Sequence, residues 1–185
     1  MSAPRRCLVA LALAALLALP PPAAAAFELP SASVREVEGV YLLDAVARLE
    51  LSGPVRQALE NGVDLHIAWE VDLERYRRWW LDADVASLVQ RNRIEYHELS
   101  LQYIVTNLNT GERRSFTRLA SALDSIGTLV GFPVVDSVLI EEPSRYRGFV
   151  RVRLEHDRLP LPLRPTALFS DAWDLESEWR PWRFE

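Results

Sequence analysis

Between residues 63 and 73, VDLHIAWEVDL, every odd position is apolar: Val63, Leu65, Ile67, Trp69, Val71 and Leu73. The even positions hold Asp64, His66, Ala68, Glu70 and Asp72. Side chains alternate across a strand, so this spacing predicts a β-strand with one buried and one wet face. We expect Leu65, Ile67, Trp69 and Val71 inside, and His66, Glu70 and Asp72 largely exposed. Residues 41 to 51 behave alike, with Tyr41, Leu43, Ala45, Ala47, Leu49 and Leu51 on one face and Arg48 and Glu50 opposite. Residues 149 to 155 set Val150, Val152 and Leu154 against Arg151, Arg153 and Glu155. One wet face per strand is the habit of antiparallel sheets. The odd-face series fails at Arg75 and Arg77, so a bend or bulge is expected near Glu74 or Arg75.

Weaker extended segments are predicted at 31–38, 76–80, 85–97, 101–107, 112–116, 134–140 and 172–180. Glu38-Gly39 and Asn109-Thr110-Gly111 carry hairpin-turn chemistry. Two helices break the pattern. The first starts at Gly53-Pro54, where the missing proline N–H costs nothing, and ends at Asn61-Gly62. The second has Thr117 as its expected N-cap, Leu119, Ala122, Leu123 and Ile126 at helical spacing, and Gly127 as terminator. Leu159 to Pro165, LPLPLRP, must be extended and cannot lie within a sheet. The pattern as a whole predicts a mainly β domain, an antiparallel β-sandwich with two short α-helices.

The chain N-terminal to this domain is of another kind. Arg5 and Arg6 precede an unbroken apolar run, residues 7–19, then Pro20-Pro21-Pro22 and Ala24-Ala25-Ala26. That order reads as a cleavable export signal, processed after Ala26 to leave Phe27 first. Thirteen helical residues reach only about 20 Å, short of the roughly 30 Å hydrocarbon core, which favours cleavage over anchoring. The expected organisation is a signal over 1–26 and a single domain over 27–185, located in the periplasm. Cys7, the one cysteine, falls within the signal, so the domain has no disulfide to form. Losing Arg5 and Arg6 takes the net charge from −5 to −7, a poor balance for nucleic acid. All 21 basic residues are arginine, most simply a trace of GC-rich codon usage.

Enzyme signatures are missing: there is no nucleophile elbow, no P-loop and no dinucleotide fingerprint. His66, His97 and His156 lack metal-site spacing, and no cofactor is expected. The aromatic clusters say more. Arg77-Arg78-Trp79-Trp80 forms one, and Trp173 to Phe184, with Trp179, Trp182 and Arg183, the other. Trp173, Leu175 and Trp179 share strand parity, which places these rings in the core. Trp80 is out of register with the odd-face series, and Trp182 follows Pro181, which cannot donate a ladder bond. Arg78, Trp80, Trp182 and Arg183 are therefore the candidate ligand- or partner-binding residues, an aromatic-plus-cation surface.

Several stretches together carry a resemblance. They are Arg78-Trp79-Trp80, Ile94-Glu95-Tyr96-His97-Glu98-Leu99 with Tyr103, Leu119-Ala120-Ser121-Ala122-Leu123, Leu159 to Arg164, and Trp173 to Trp179. The chain resembles a family of exported Gram-negative bacterial proteins with a domain of unknown function, of the proline-rich signal-peptide type. The resemblance implies no catalytic residue; it implies a gene neighbourhood shared with a membrane sensor kinase of the nitrogen-regulation type. The expected function is a non-catalytic binding or accessory module of the cell envelope, whose partner is an envelope or membrane protein. No stable membrane insertion is expected after signal cleavage. A carbohydrate-binding module using Trp79, Trp80, Trp179 or Trp182 is the alternative. A hydrolase built on Asp, Glu and His of the wet faces is a more distant third.

Overall fold

A computed structural model describes residues 27–75, 83–161 and 170–184. The segment expected to be an export signal, the strand expected at 76–80 with the Arg77–Trp80 cluster and candidates Arg78 and Trp80, and residues 162–165 of the proline run lie outside the described residues.

The chain runs β1 (Phe27–Val37), β2 (Val40–Leu49), α1 (Gly53–Glu60), β3 (Leu65–Arg75), β4 (Ala83–His97), β5 (Gln102–Asn107) and β6 (Arg113–Phe116). It continues through α2 (Leu119–Ile126), β7 (Thr128–Asp136), β8 (Tyr146–Leu154) and β9 (Arg180–Trp182), with three short 3-10 turns among the described residues. A three-stranded sheet, β1-β2-β7, faces a six-stranded one, β6-β5-β4-β3-β8-β9. Every pairing is antiparallel. The fold is thus mainly β and sandwich-like with two helices, as the alternation predicts.

Between the sheets lie the two faces that the periodicity singles out. Leu65, Ile67, Trp69, Val71 and Leu73 of β3 have no solvent exposure, and Tyr41, Leu43, Ala45, Ala47 and Leu49 of β2 are buried with them. Helix α1 caps this layer with Val55 and Leu59, and α2 with Ala122, Leu123 and Ile126. Trp69 anchors the junction, its indole N–H donating to the Ile126 carbonyl at 2.9 Å. Glu38 and Gly39, at φ of 51° and 82°, make the two-residue β1–β2 turn that the sequence signals. The ladder irregularity expected near Glu74 falls between Leu73 and Glu74; Leu73 pairs with Ala86 and Glu74 with Asp84, so the extra residue is Val85 on β4.

Five expectations need correction. The strand placed at 134–140 is β7, which starts at Thr128 and gives way to a 3-10 turn at Ser137–Leu139. Gly131, at φ of 63°, and Pro133 interrupt its alternation; an edge strand tolerates both. The N-cap of α2 is Arg118 rather than Thr117, and no side chain bonds the cap. His66, Glu70 and Asp72 are half-buried rather than largely exposed; over Glu70 lie the arginines Arg151 and Arg153 of β8, which bond it.

The other two concern the tryptophans. Residues 172–180 run beside β8 but are regular strand only from Arg180 onward. Glu176 faces Arg153 and Arg180 faces Val150, so four steps on this segment span three on β8. That extra residue flips the parity. Trp173, Leu175 and Ser177 point inward, Trp179 turns out to 39% exposure, and Trp182 turns in to 3%.

Candidate functional site

The outer face of the six-stranded sheet carries the most distinctive chemistry among the described residues. On β3, small Ala68 pairs with Arg91 of β4 on one side and Arg153 of β8 on the other. Glu70, two residues on, sits opposite Arg151. Same-face neighbours on a strand are roughly 7 Å apart, within reach of long side chains on the next strand. Glu70 therefore accepts from Arg151 Nε through one oxygen and from Arg153 Nε through the other, both at 2.7 Å. Burial alone would raise the Glu70 pKa, but the Arg153 and Arg151 hydrogen bonds outweigh it and hold the carboxyl below its usual value.

The motif recurs twice across the face. Glu155, itself buried, accepts from Arg91 Nε at 2.9 Å and pairs with Arg158 Nε at 2.9 Å. Glu95 pairs with Arg113 at 2.9 Å and Arg93 at 3.4 Å. Each carboxylate is gripped by two arginines, and further carboxylates join in: Glu176 meets Arg151 at 3.3 Å and Asp64 meets Arg93 at 4.0 Å, so the charges of these two clusters balance. Nearby, burial first, then Glu95, pushes the Asp64 carboxyl up. Burial and then Arg158 push the His66 imidazole down, which favours its neutral form.

The lattice ends at Trp179. The Arg151 guanidinium carbon lies 4.5 Å from the Trp179 ring centroid, while another Arg151 nitrogen reaches Glu176 at 3.3 Å. A shallow groove of about 430 Å³ opens beside the ring, walled by Phe27 to Leu29 of β1 and by Arg180 and Pro181. Arg180 donates to the Leu29 carbonyl at 3.1 Å and joins the two walls. The exposed indole and the guanidinium beside it, which Glu70 fixes in place, form a rigid aromatic–cation pair at the surface.

Against this geometry the predicted residues divide. Trp182 is a core residue, not a surface one: its ring lies on Gly148 and packs edge-on to Phe184 at 5.3 Å. Pro181 occupies the outward position of that edge strand, and its missing N–H faces no partner strand. Arg183 is exposed. Trp179, read from its parity as core, is the ring the structure brings to the surface. The histidines are dispersed. His66 lies on β3, His97 shares a hydrogen bond with Ser100, and His156 Nε2 contacts the Trp173 carbonyl oxygen. Among the described residues no group of three His, Cys, Asp or Glu side chains is placed to hold a metal.

Glu70 predicts an acid sensitivity. Its folded pKa is depressed, so its contribution to stability is present above the unfolded value near 4.5 and is lost as pH falls through the lower folded value. Replacing Glu70 with Gln should cost about 2–3 kcal/mol at pH 7, by leaving Arg151 and Arg153 without their shared partner. The variant's denaturation profile should also be flatter than wild type below pH 4.5. An equal acid slope in both proteins would show that Glu70 does not carry it.

A family described as "Domain of unknown function (DUF4390)" matches residues 24–183, nearly the whole of the domain, and the chain belongs to it. No curated protein and no solved structure matches this chain.

Proposed function

We propose that the domain is a non-catalytic binding module of the cell envelope, and that it meets a partner protein through Trp179 and Arg151 on the outer face of the six-stranded sheet. One observation carries the reading: Trp179 is turned outward by the extra residue in its segment, and Arg151 is stacked on it while held by Glu70 and Glu176. Aromatic and arginine side chains on a rigid support are what interface hot spots are made of. The export signal and the resemblance to exported proteins favour an envelope or membrane protein as the partner, with the outer segment of a sensor kinase as one form of it. Carbohydrate binding is a second reading, favoured by the groove beside the Trp179 ring, where a sugar could stack.

A photo-crosslinking amino acid at position 179 tests this in living cells. The expected result is one discrete crosslinked protein band, absent when the label is moved to Val46 on the exposed side of the other sheet. Trp179→Ala should change stability by no more than about 1 kcal/mol, the scale of an exposed cation–π contact. Crosslinks to glycan alone would establish the second reading. Identical patterns from positions 179 and 46 would refute both.

A further inference from the structure

The β4–β5 hairpin ends in a tip that the Trp179 surface does not explain. Its loop is Glu98-Leu99-Ser100-Leu101, closed by the His97–Gln102 pair. Leu99 is 94% exposed and Leu101 is 66% exposed. Leu101 also has φ of 52°, left-handed backbone where a turn ordinarily places Gly or Asn. A bulky side chain there stores about 1–2 kcal/mol of strain. Below the tip, Tyr96 and Tyr103 pair across the strands with ring centroids 4.9 Å apart, and His97 bonds Ser100 at 3.0 Å. Two aliphatic side chains are thus held out into solvent on a stiff support.

The topology adds two neighbours at the same end of the domain. Leu161, 74% exposed, follows the 3-10 turn after β8 and lines a groove with Gly62 to Asp64 and His66, where β3 begins. β3 begins beside the end of β4, since Leu65 pairs with Ile94. Phe27, the first residue of β1, pairs with Leu49 at the end of β2, and Leu49 shares a cleft with Tyr103 at the base of the hairpin. Phe27, where the chain N-terminal to the domain enters it, therefore lies at the leucine-bearing end.

We propose that this end is a membrane-contact surface, with Leu99, Leu101 and Leu161 entering the headgroup–acyl boundary of a lipid bilayer. Separate aliphatic tips, rather than a continuous groove, suit a fluid medium better than a shaped protein pocket. Glu98 sits at the hairpin tip, Arg158 beside the Leu161 groove is paired with Glu155 at 2.9 Å, and the whole chain is net negative. The attraction is consequently apolar and insensitive to salt, not a pull toward anionic lipid. The contact is peripheral: no described helix is long and apolar enough to cross a membrane. Three leucines alone hold weakly, so the contact is reversible.

The test uses the full chain, with Cys7→Ser, reconstituted into vesicles of phosphatidylethanolamine and phosphatidylglycerol. A fluorophore is attached at Leu99→Cys, Leu161→Cys or Val138→Cys. Val138 is 85% exposed at the opposite end, next to Ser137, whose N–H bonds Gly39 of the β1–β2 turn. Vesicles should abolish iodide quenching at 99 and 161, at low and high salt alike, and leave 138 unchanged. Equal quenching at all three positions would overturn the proposal. Shielding at 99 before vesicles are added would overturn it too, in favour of a protein contact. Leu101→Gly relieves the left-handed strain and should unfold at an equal or higher denaturant midpoint. Combined with Leu99→Ser it should lose shielding at 161, and retention would count against the proposal.

Discussion

Trp69→Ala is expected to destabilise the domain by about 3–5 kcal/mol, because a large fully buried ring between the sheets leaves a cavity that packed neighbours cannot fill. Its indole N–H is the partner of the Ile126 carbonyl, so truncation also strands a buried acceptor, worth about another 1 kcal/mol or more. With an m value of about 2 kcal/mol/M, the urea midpoint should fall by roughly 2–3 M. Trp69→Phe separates the terms in part, since it loses the bond while keeping much of the ring volume. An unchanged midpoint in the alanine variant would mean that the two faces of β3 have been exchanged.

Gly148→Ala should be nearly as damaging, although it adds one methyl group. A Cβ at position 148 would sit 1.9 Å from Cε2 and 2.0 Å from Cζ2 of Trp182, which lies directly on the glycine. Either the ring leaves its pocket beside Phe184 or β8 is displaced from β9, at a cost of about 3 kcal/mol. Trp182→Ala alone should also be severe. In the double variant the methyl group enters space the indole has vacated, so its cost should lie well below the sum of the two single changes. Strict additivity, read from denaturant midpoints, would show that the glycine is required for another reason.

Where alternation alone decided the structure, it was readable. The buried faces of β2 and β3 follow from apolar side chains at every second position, and helix α1 from its proline start and glycine end. Side-chain parity fails wherever one extra residue enters a strand. Nothing in Ser177-Glu178-Trp179 announces the added residue that moves Trp179 outward and Trp182 inward, because the partner strand decides it. The half-burial of Glu70 was hidden for a related reason: arginines some eighty residues away cover it. Leu101 marks another limit. A turn sequence ordinarily advertises a left-handed residue with Gly or Asn, and here leucine takes that place. The exposed tip thus had no signature beyond its break in strand pattern.

The segment that flanks β8 has a consequence for how the protein is made. Residues 175–177 bond to Leu154 and Val152, Arg180 pairs with Val150, and Arg180 also holds Leu29 of β1. A ribosome must therefore extend the chain roughly 150 residues beyond β1 before the seam between its first strand and the large sheet can close. Until then β8 presents an open row of backbone donors and acceptors along one edge, and the growing polypeptide remains a loose thread, its first strand waiting on its last.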